Sequence, residues 1–197
     1  MAGAIEEIER TAEALRREGR RLLDETGLLA LLSAYGRPHP TGSFVLDLMA
    51  WRDLDIELVA EALTVERFFD LGREIATRLK PARMSFRDER IMETPGLPNG
   101  LYWGIYLPEP EAWKIDLWAV DQAEQDRRSP YGAWVQTALT AESRRTILEI
   151  KSAVWNDPGY RRAYSSKDIY DAVLSEGVAD LTGFLGYLRS KGLWRAP

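Results

Sequence analysis

The sequence predicts an α+β fold: a mixed β-sheet core flanked by helices, with an N-terminal helix and a C-terminal helical part. Three observations lead there. The first two dozen residues carry apolar side chains at helical spacing. Strand-like stretches then gather between residues 41 and 120, the last of them with no helix between. From about residue 121 the pattern returns to helical periodicity. The expected organisation is residues 1–120 as N-terminal helix plus core, and 121–197 as a helical part packed on it.

In chain order, residues 4–25 place Ile5, Ile8, Ala12, Leu15 and Leu22 on one face, with Gly19 in the single gap, and Glu6 lies four residues before Arg10 on the outer face. That face packs on its own domain or makes a coiled-coil homodimer. Thr26-Gly27 breaks the helix, and "LLALLSAYG" reads as a short apolar helix ending at Gly36. "PHPTGSFVL" leads into the strand "DLDIELVAE". "TVERFFDLGREIATRLK" has helical spacing at Val65, Phe68, Phe69, Ile75 and Leu79. "ARMSFRDERIME", "GLYWGIYLPE" and "AWKIDLWAV" read as three further strands, separated by "TPGLPNG" and the hairpin-like "LPEPEA". "DQAEQDRRSPYG" reads as a polar loop, a solvated connector or a substrate loop with Arg127 and Arg128 on phosphate. Helices follow at 141–154, 166–176 and 179–190, the second capped around Ser165-Ser166.

With 197 residues the chain is long enough for a sizeable core. It has no cysteine, which removes disulfides, thiolate metal sites and cysteine nucleophiles. The single histidine, His39, lies between Pro38 and Pro40, where a loop residue is expected, and one histidine leaves no material for the usual His-based triads. No apolar run spans a membrane and no signal peptide is visible, so cytoplasm is the expected location. Net charge is −5, against the basic surface expected of a protein that grips a long nucleic acid. A helix–turn–helix look over residues 169–188 lacks a basic recognition face.

Chemistry is concentrated in acids placed inside apolar strands. Alternate strand residues share a face, so Asp53 and Asp55 project together, with Leu54 and Ile56 behind them. Two such carboxylates form a solvated strand end paired with an arginine such as Arg52, or they hold a cation. A hard divalent ion suits these oxygens. In "EAWKIDLWAV" Lys114, Asp116 and Trp118 share one face, which makes Asp116 a third acid from a second strand. Lys114 is either an ion-pair partner of Asp116 or a cation for phosphates. Gly42-Ser43 offers backbone N–H groups and a hydroxyl that cradle phosphate oxygens.

Gly42-Ser43, a nine-residue gap, Asp53-Leu54-Asp55-Ile56 and a later Ile115-Asp116-Leu117 resemble the nucleotidyltransferase superfamily with the DNA polymerase beta-like catalytic core. The likeness covers roughly residues 36–120. Phe44 directly after the Gly-Ser pair departs from it, since a helix often begins there in the family. The resemblance implies a nucleotidyltransferase that moves a nucleoside monophosphate from an NTP such as ATP to an acceptor hydroxyl. It implies Asp53, Asp55 and Asp116 as catalytic residues holding Mg²⁺ (or Mn²⁺), and Gly42, Ser43 and Lys114 on the nucleotide. The net acidity favours a small-molecule acceptor, an amine-sugar for example, over nucleic acid. The competing expectation is a non-catalytic nucleotide-binding or interaction protein, of the toxin–antitoxin type, that keeps the fold.

Overall fold

A computed structural model describes residues 2–110 and 112–193. The chain forms two compact units. One comprises residues 16–47 and 52–132; the other combines residues up to 15, 48–51 and those from 133 onward.

The first unit is built on a five-stranded sheet of order β1-β2-β5-β4-β3. Its strands are β1 (Arg37–Thr41), β2 (Asp53–Val59), β3 (Arg83–Asp88), β4 (Leu101–Tyr106) and β5 (Lys114–Val120). β2 and β5 pair in parallel and every other pair is antiparallel, which makes the sheet mixed as expected. β1 is an edge strand. Pro38 and Pro40 fit there because prolines at alternate positions remove donors from one side of the strand only. His39, expected in a loop, lies in this strand opposite Glu57.

Alternation gives the sheet an apolar face, with Leu54, Ile56, Leu58, Ile115, Leu117 and Ile105 almost fully buried. α4 (Val65–Leu79) uses Phe68, Leu71 and Ile75 as its buried positions. Thr64 caps it by accepting from Arg67 N. Gly72 lets the Trp103 ring approach closely, because a Cβ there would stand 2.8 Å from the indole, whose Nε1 donates to Phe68 O at 3.0 Å.

Two helices, α1 (Ala2–Asp24) and α2 (Leu28–Ser33), precede the sheet. Gly27 joins them in the left-handed conformation, φ 70°. In α1 the expected gap at Gly19 receives the rings of Phe44 and Trp113. After β1 the chain turns at once into α3 (Gly42–Val45), so a helix does begin at the Gly-Ser pair despite Phe44, which is itself buried.

Two expected stretches differ. "ARMSFRDERIME" is strand only to Asp88, whose carboxylate accepts from Arg90 N and starts α5 (Glu89–Met92). The polar stretch after residue 121 is helical, the start of α6 (Gln122–Ala138). Asp121 Oδ1 accepts from Glu124 N at 2.7 Å, and Glu124 pairs with Arg127 one turn on. Local caps and ion pairs hold this segment, so no apolar period announces it. β4 and β5 are joined by the expected hairpin connection, of which Glu111 lies outside the described residues.

In the second unit α7 (Ala141–Val154), α8 (Ser166–Leu174) and α9 (Leu181–Ser190) bury Ile147, Leu148, Ile150, Ile169, Phe184 and Leu188. Thr140–Ser143 and Ser165–Asp168 form capping boxes. Lys151 of α7 is wholly buried; its ammonium donates to Leu48 O at 2.6 Å and to Tyr170 Oη at 3.2 Å. Among the described residues no helix is long and apolar enough to cross a membrane.

Candidate active site

The second face of the sheet is polar, and the strand register sets its side chains in rows. The middle row runs Thr41, Asp55, Asp116, Gly104, Ser85 across all five strands. On one side of it runs the row Asp53, Lys114, Tyr106, Arg83. On the other side runs His39, Glu57, Trp118, Tyr102, Arg87. The pairing of β2 with β5 in this register thus makes Asp55 and Asp116 direct neighbours and brings the Asp-x-Asp strand and the third acid together.

Lys114 sits among the acids. Its ammonium is 3.2 Å from Asp53 Oδ1 and also pairs with Asp116 Oδ2. Burial alone would lower its pKa; the charges of Asp53, Asp116 and Asp55 outweigh burial and raise it above the usual lysine value. Both readings of Lys114 start from this position, because the ion pair with Asp116 is formed at the site itself. Arg52, next to Asp53 in the sequence, donates to Glu18 at 2.8 Å.

Gly42 meets this cluster from the β1 side. It has φ +62°, and a Cβ there would collide with Asp55 Oδ2. Glycine is therefore required twice, for its backbone angle and for the close approach. Ser43 follows it in α3. The structure so brings together Gly42, Asp53, Asp55, Asp116 and Lys114 on one face.

One contact at the acids was not read from the sequence. Tyr102 Oη donates to Asp116 Oδ1 at 2.6 Å. Burial, then the Asp116 charge and hydrogen bond, push the phenol pKa well up, so Tyr102 stays a donor. Its ring packs on Trp118, centroids 4.6 Å apart. The signal was the alternation Tyr102, Gly104, Tyr106 in "GLYWGIY", but a tyrosine in an apolar strand reads as core. Glu57 is paired with Arg128, Nε to Oε1 3.5 Å; burial raises its pKa and the guanidinium partly offsets this.

Among the described residues no set of three His, Cys, Asp or Glu side chains is arranged to hold a metal ion. In chemistry the donors fit a hard divalent cation: two carboxylates converge on one positive charge, and the charge standing there is the Lys114 ammonium. A separate cavity of about 570 Å³ lies beyond the far ends of β2 and β5, lined by Ala60, Asn99, Arg90 and Arg127 among others. Its arginines are neutralised by Asp88 and Glu124.

No protein-family model matches the chain, and no curated protein matches it either. Solved structures do. A mutant Cid1 poly(U) polymerase bound to MgATP superposes with a TM-score of 0.58 at 13% identity, over 87% of this chain and 54% of that one. A cytoplasmic RNA terminal U-transferase gives 0.55 at 13%, covering 86% and 54%. The GLD-2/RNP-8 complex gives 0.54 at 11%, covering 88% and 64%. The chain shares its fold with these three structures and spans between half and two thirds of the length of their chains.

Proposed function

We propose that the protein is a metal-dependent nucleotidyltransferase that moves a nucleoside monophosphate from an NTP to an acceptor hydroxyl. The observation that carries this reading is the convergence of Gly42 on Asp55, and of Asp53 and Asp116 on one cation, on the polar face of a mixed sheet. Gly42 and Ser43 hold the phosphates of the NTP, and Lys114 neutralises charge on the departing pyrophosphate. Asp116, oriented by Tyr102, faces the acceptor and takes the proton of its hydroxyl as that oxygen bonds to the α-phosphorus. Asp53, Asp55 and Asp116 would hold Mg²⁺ or Mn²⁺, which would supply positive charge against the phosphates.

The acceptor follows from charge. The net charge of −5 supports a small, neutral or cationic molecule. The second reading, a polynucleotide acceptor, is supported by a structural neighbour named as an RNA terminal U-transferase.

The test is a thermal-shift series with ATP, GTP, CTP and UTP, with Mg²⁺ or Mn²⁺, on the native protein and on Asp53→Asn/Asp55→Asn. An NTP at about 100 times its dissociation constant stabilises by about 2.7 kcal/mol, and the double variant abolishes the shift. A flat response to all four nucleotides sinks the reading and leaves an interaction protein built on the fold. A shift without turnover on any acceptor marks a non-catalytic nucleotide binder.

A further inference from the structure

We propose that the open edge of β3 is a docking site for an extended segment of a partner protein, added to the sheet as a further strand, whose side chains alternate apolar and acidic. The inference rests on the sheet and its surface and is independent of the reaction proposed above.

The two edges of the sheet are finished differently. β1 carries Pro38 and Pro40, which have no N–H to give a further strand. β3, "RMSFRD", holds no proline and no buried residue, and among the described residues it pairs with β4 alone. The ladder decides which of its backbone groups are left over. Glu89 N donates to Gly100 O at 2.9 Å, which continues the register in which Asp88 faces Leu101. By alternation Arg87, Ser85 and Arg83 turn their N–H and C=O groups toward β4, and Met84 and Phe86 turn theirs outward. An edge left open in this way is a template for another chain.

The side chains along the edge specify the occupant. On the α4 side the rings of Phe86 and Phe69 lie 4.7 Å apart, and they stand 5.4 and 5.1 Å from the Trp103 ring. Phe69 is 46% exposed and Phe86 half-buried, so this cluster reaches the surface. Directly after β3, α5 adds Ile91 and Met92, both exposed. On the other face Arg83 is exposed and held 3.8 Å over the Tyr106 ring. Lys80, the exposed C-cap of α4, stands just before the strand. Among the described residues neither cation makes an ion pair. The nearby acids are engaged, Asp88 with Arg90 and Asp70 with Arg73. Successive side chains of an added strand point to opposite faces. Apolar ones would cover Phe86 and Phe69, and acidic ones between them would meet Arg83.

A second copy of β3 fits this edge poorly. The two-fold register centred on Ser85 pairs Met84 with Phe86 and sets Arg83 opposite Arg87 twice, and like charges directly opposite repel. Two-fold registers centred on Met84 or Phe86 run each strand past the end of the other.

The experiment is a display selection of random extended peptides on the native protein, followed by fluorescence anisotropy of the labelled selected peptides across a salt series. Met84→Pro removes one outward donor and leaves the ladder with β4 in place. Arg83→Glu/Lys80→Glu reverses the charge on two exposed side chains. Each variant is checked by its melt. The selected peptides should alternate apolar and acidic residues. Their affinity should fall at least about tenfold in Met84→Pro, where a peptide carbonyl loses its donor. It should also fall in the charge reversal, most at low salt. Amide exchange at Met84 and Phe86 should slow when peptide is added. The charge reversal keeps the test sound if Met84→Pro does not fold. An absence of enriched peptides, enriched peptides without acidic residues, or peptides that bind the folded variants as tightly as the native chain overturn the proposal. So does a native dimer that Met84→Pro dissociates, because the edge then belongs to a second copy.

Discussion

Lys114 is the residue on which the electrostatics of the site turn. Its side chain is 20% exposed, and those of Asp53 and Asp116 are 13% and 16% exposed, so all three are largely withdrawn from water. Removing one partner of a buried charge cluster strands the others. Lys114→Met should therefore cost about 3 kcal/mol in metal-free buffer. Mg²⁺ or Mn²⁺ should restore more of the lost melting temperature in the variant than it adds to the native protein, because the vacated charge is the one a divalent ion supplies. The lysine pKa is raised in the fold, so its contribution is present below the ordinary value of 10.5 and is lost only as pH rises through the higher folded value. The native-to-variant gap should thus be constant from about pH 6 to 9. Melts in a chelator and in divalent metal across that range check both points. A gap that metal leaves unchanged would remove Lys114 from the cation position. The three aspartates stood out in the sequence because polar residues inside apolar strands need a reason, and Gly42 because a glycine lets backbone come close; the structure brings these four residues together. Tyr102 did not stand out, since its hydroxyl reaches Asp116 only through the β4–β5 register.

Elements with a strong apolar period were legible nearly to the residue. The helix expected over 141–154 is α7 (Ala141–Val154), and "DLDIELVAE" contains β2 whole. Elements held by polar contacts were not. The start of α6 depends on Asp121 and Glu124, and α5 depends on the Asp88 cap. Segment 48–51 has the least visible role. It precedes Asp53, yet its carbonyl at Leu48 is held by the buried ammonium of Lys151, and Trp51 lies 5.2 Å from the same ammonium. Nothing in "EIKSAV" marks that lysine as interior. Lys151→Met keeps most of the volume and leaves the Leu48 carbonyl without this donor. It should destabilise by about 1–3 kcal/mol in denaturant unfolding. A variant as stable as the native chain would mean that burying the charge costs as much as its hydrogen bonds return.

At the scale of the whole molecule, the question the sequence left open was what the apolar face of α1 covers. Spacing alone could not decide between an internal face and a coiled-coil seam, because both use the same three- and four-residue steps. The structure buries the later part of that face within the chain itself, with Ala12 1% exposed, Leu15 7% and Leu22 9%, and leaves Ile5 and Ile8 half-buried. The covered part has nothing to give a second copy, and a stable dimer needs roughly 1,000 Å² or more of new contact. Of the large apolar side chains that remain outside among the described residues (Val45, Phe69, Ile91, Met92, Trp134, Trp155 and Leu181), the two most exposed, Ile91 at 80% and Met92 at 60%, sit together on α5, a four-residue helix. That pair alone falls short of that area. The net charge of −5 adds repulsion between copies at low salt. Light scattering behind size exclusion should therefore return 22.4 kDa across a concentration series. A mass of twice that value would place the contact away from α1, and Ile91→Ser/Met92→Ser would show whether α5 carries it. If that pair of changes left the dimer intact, α1 would have to open from its own chain, and Leu15→Asp would then be expected to unfold the protein rather than separate the copies.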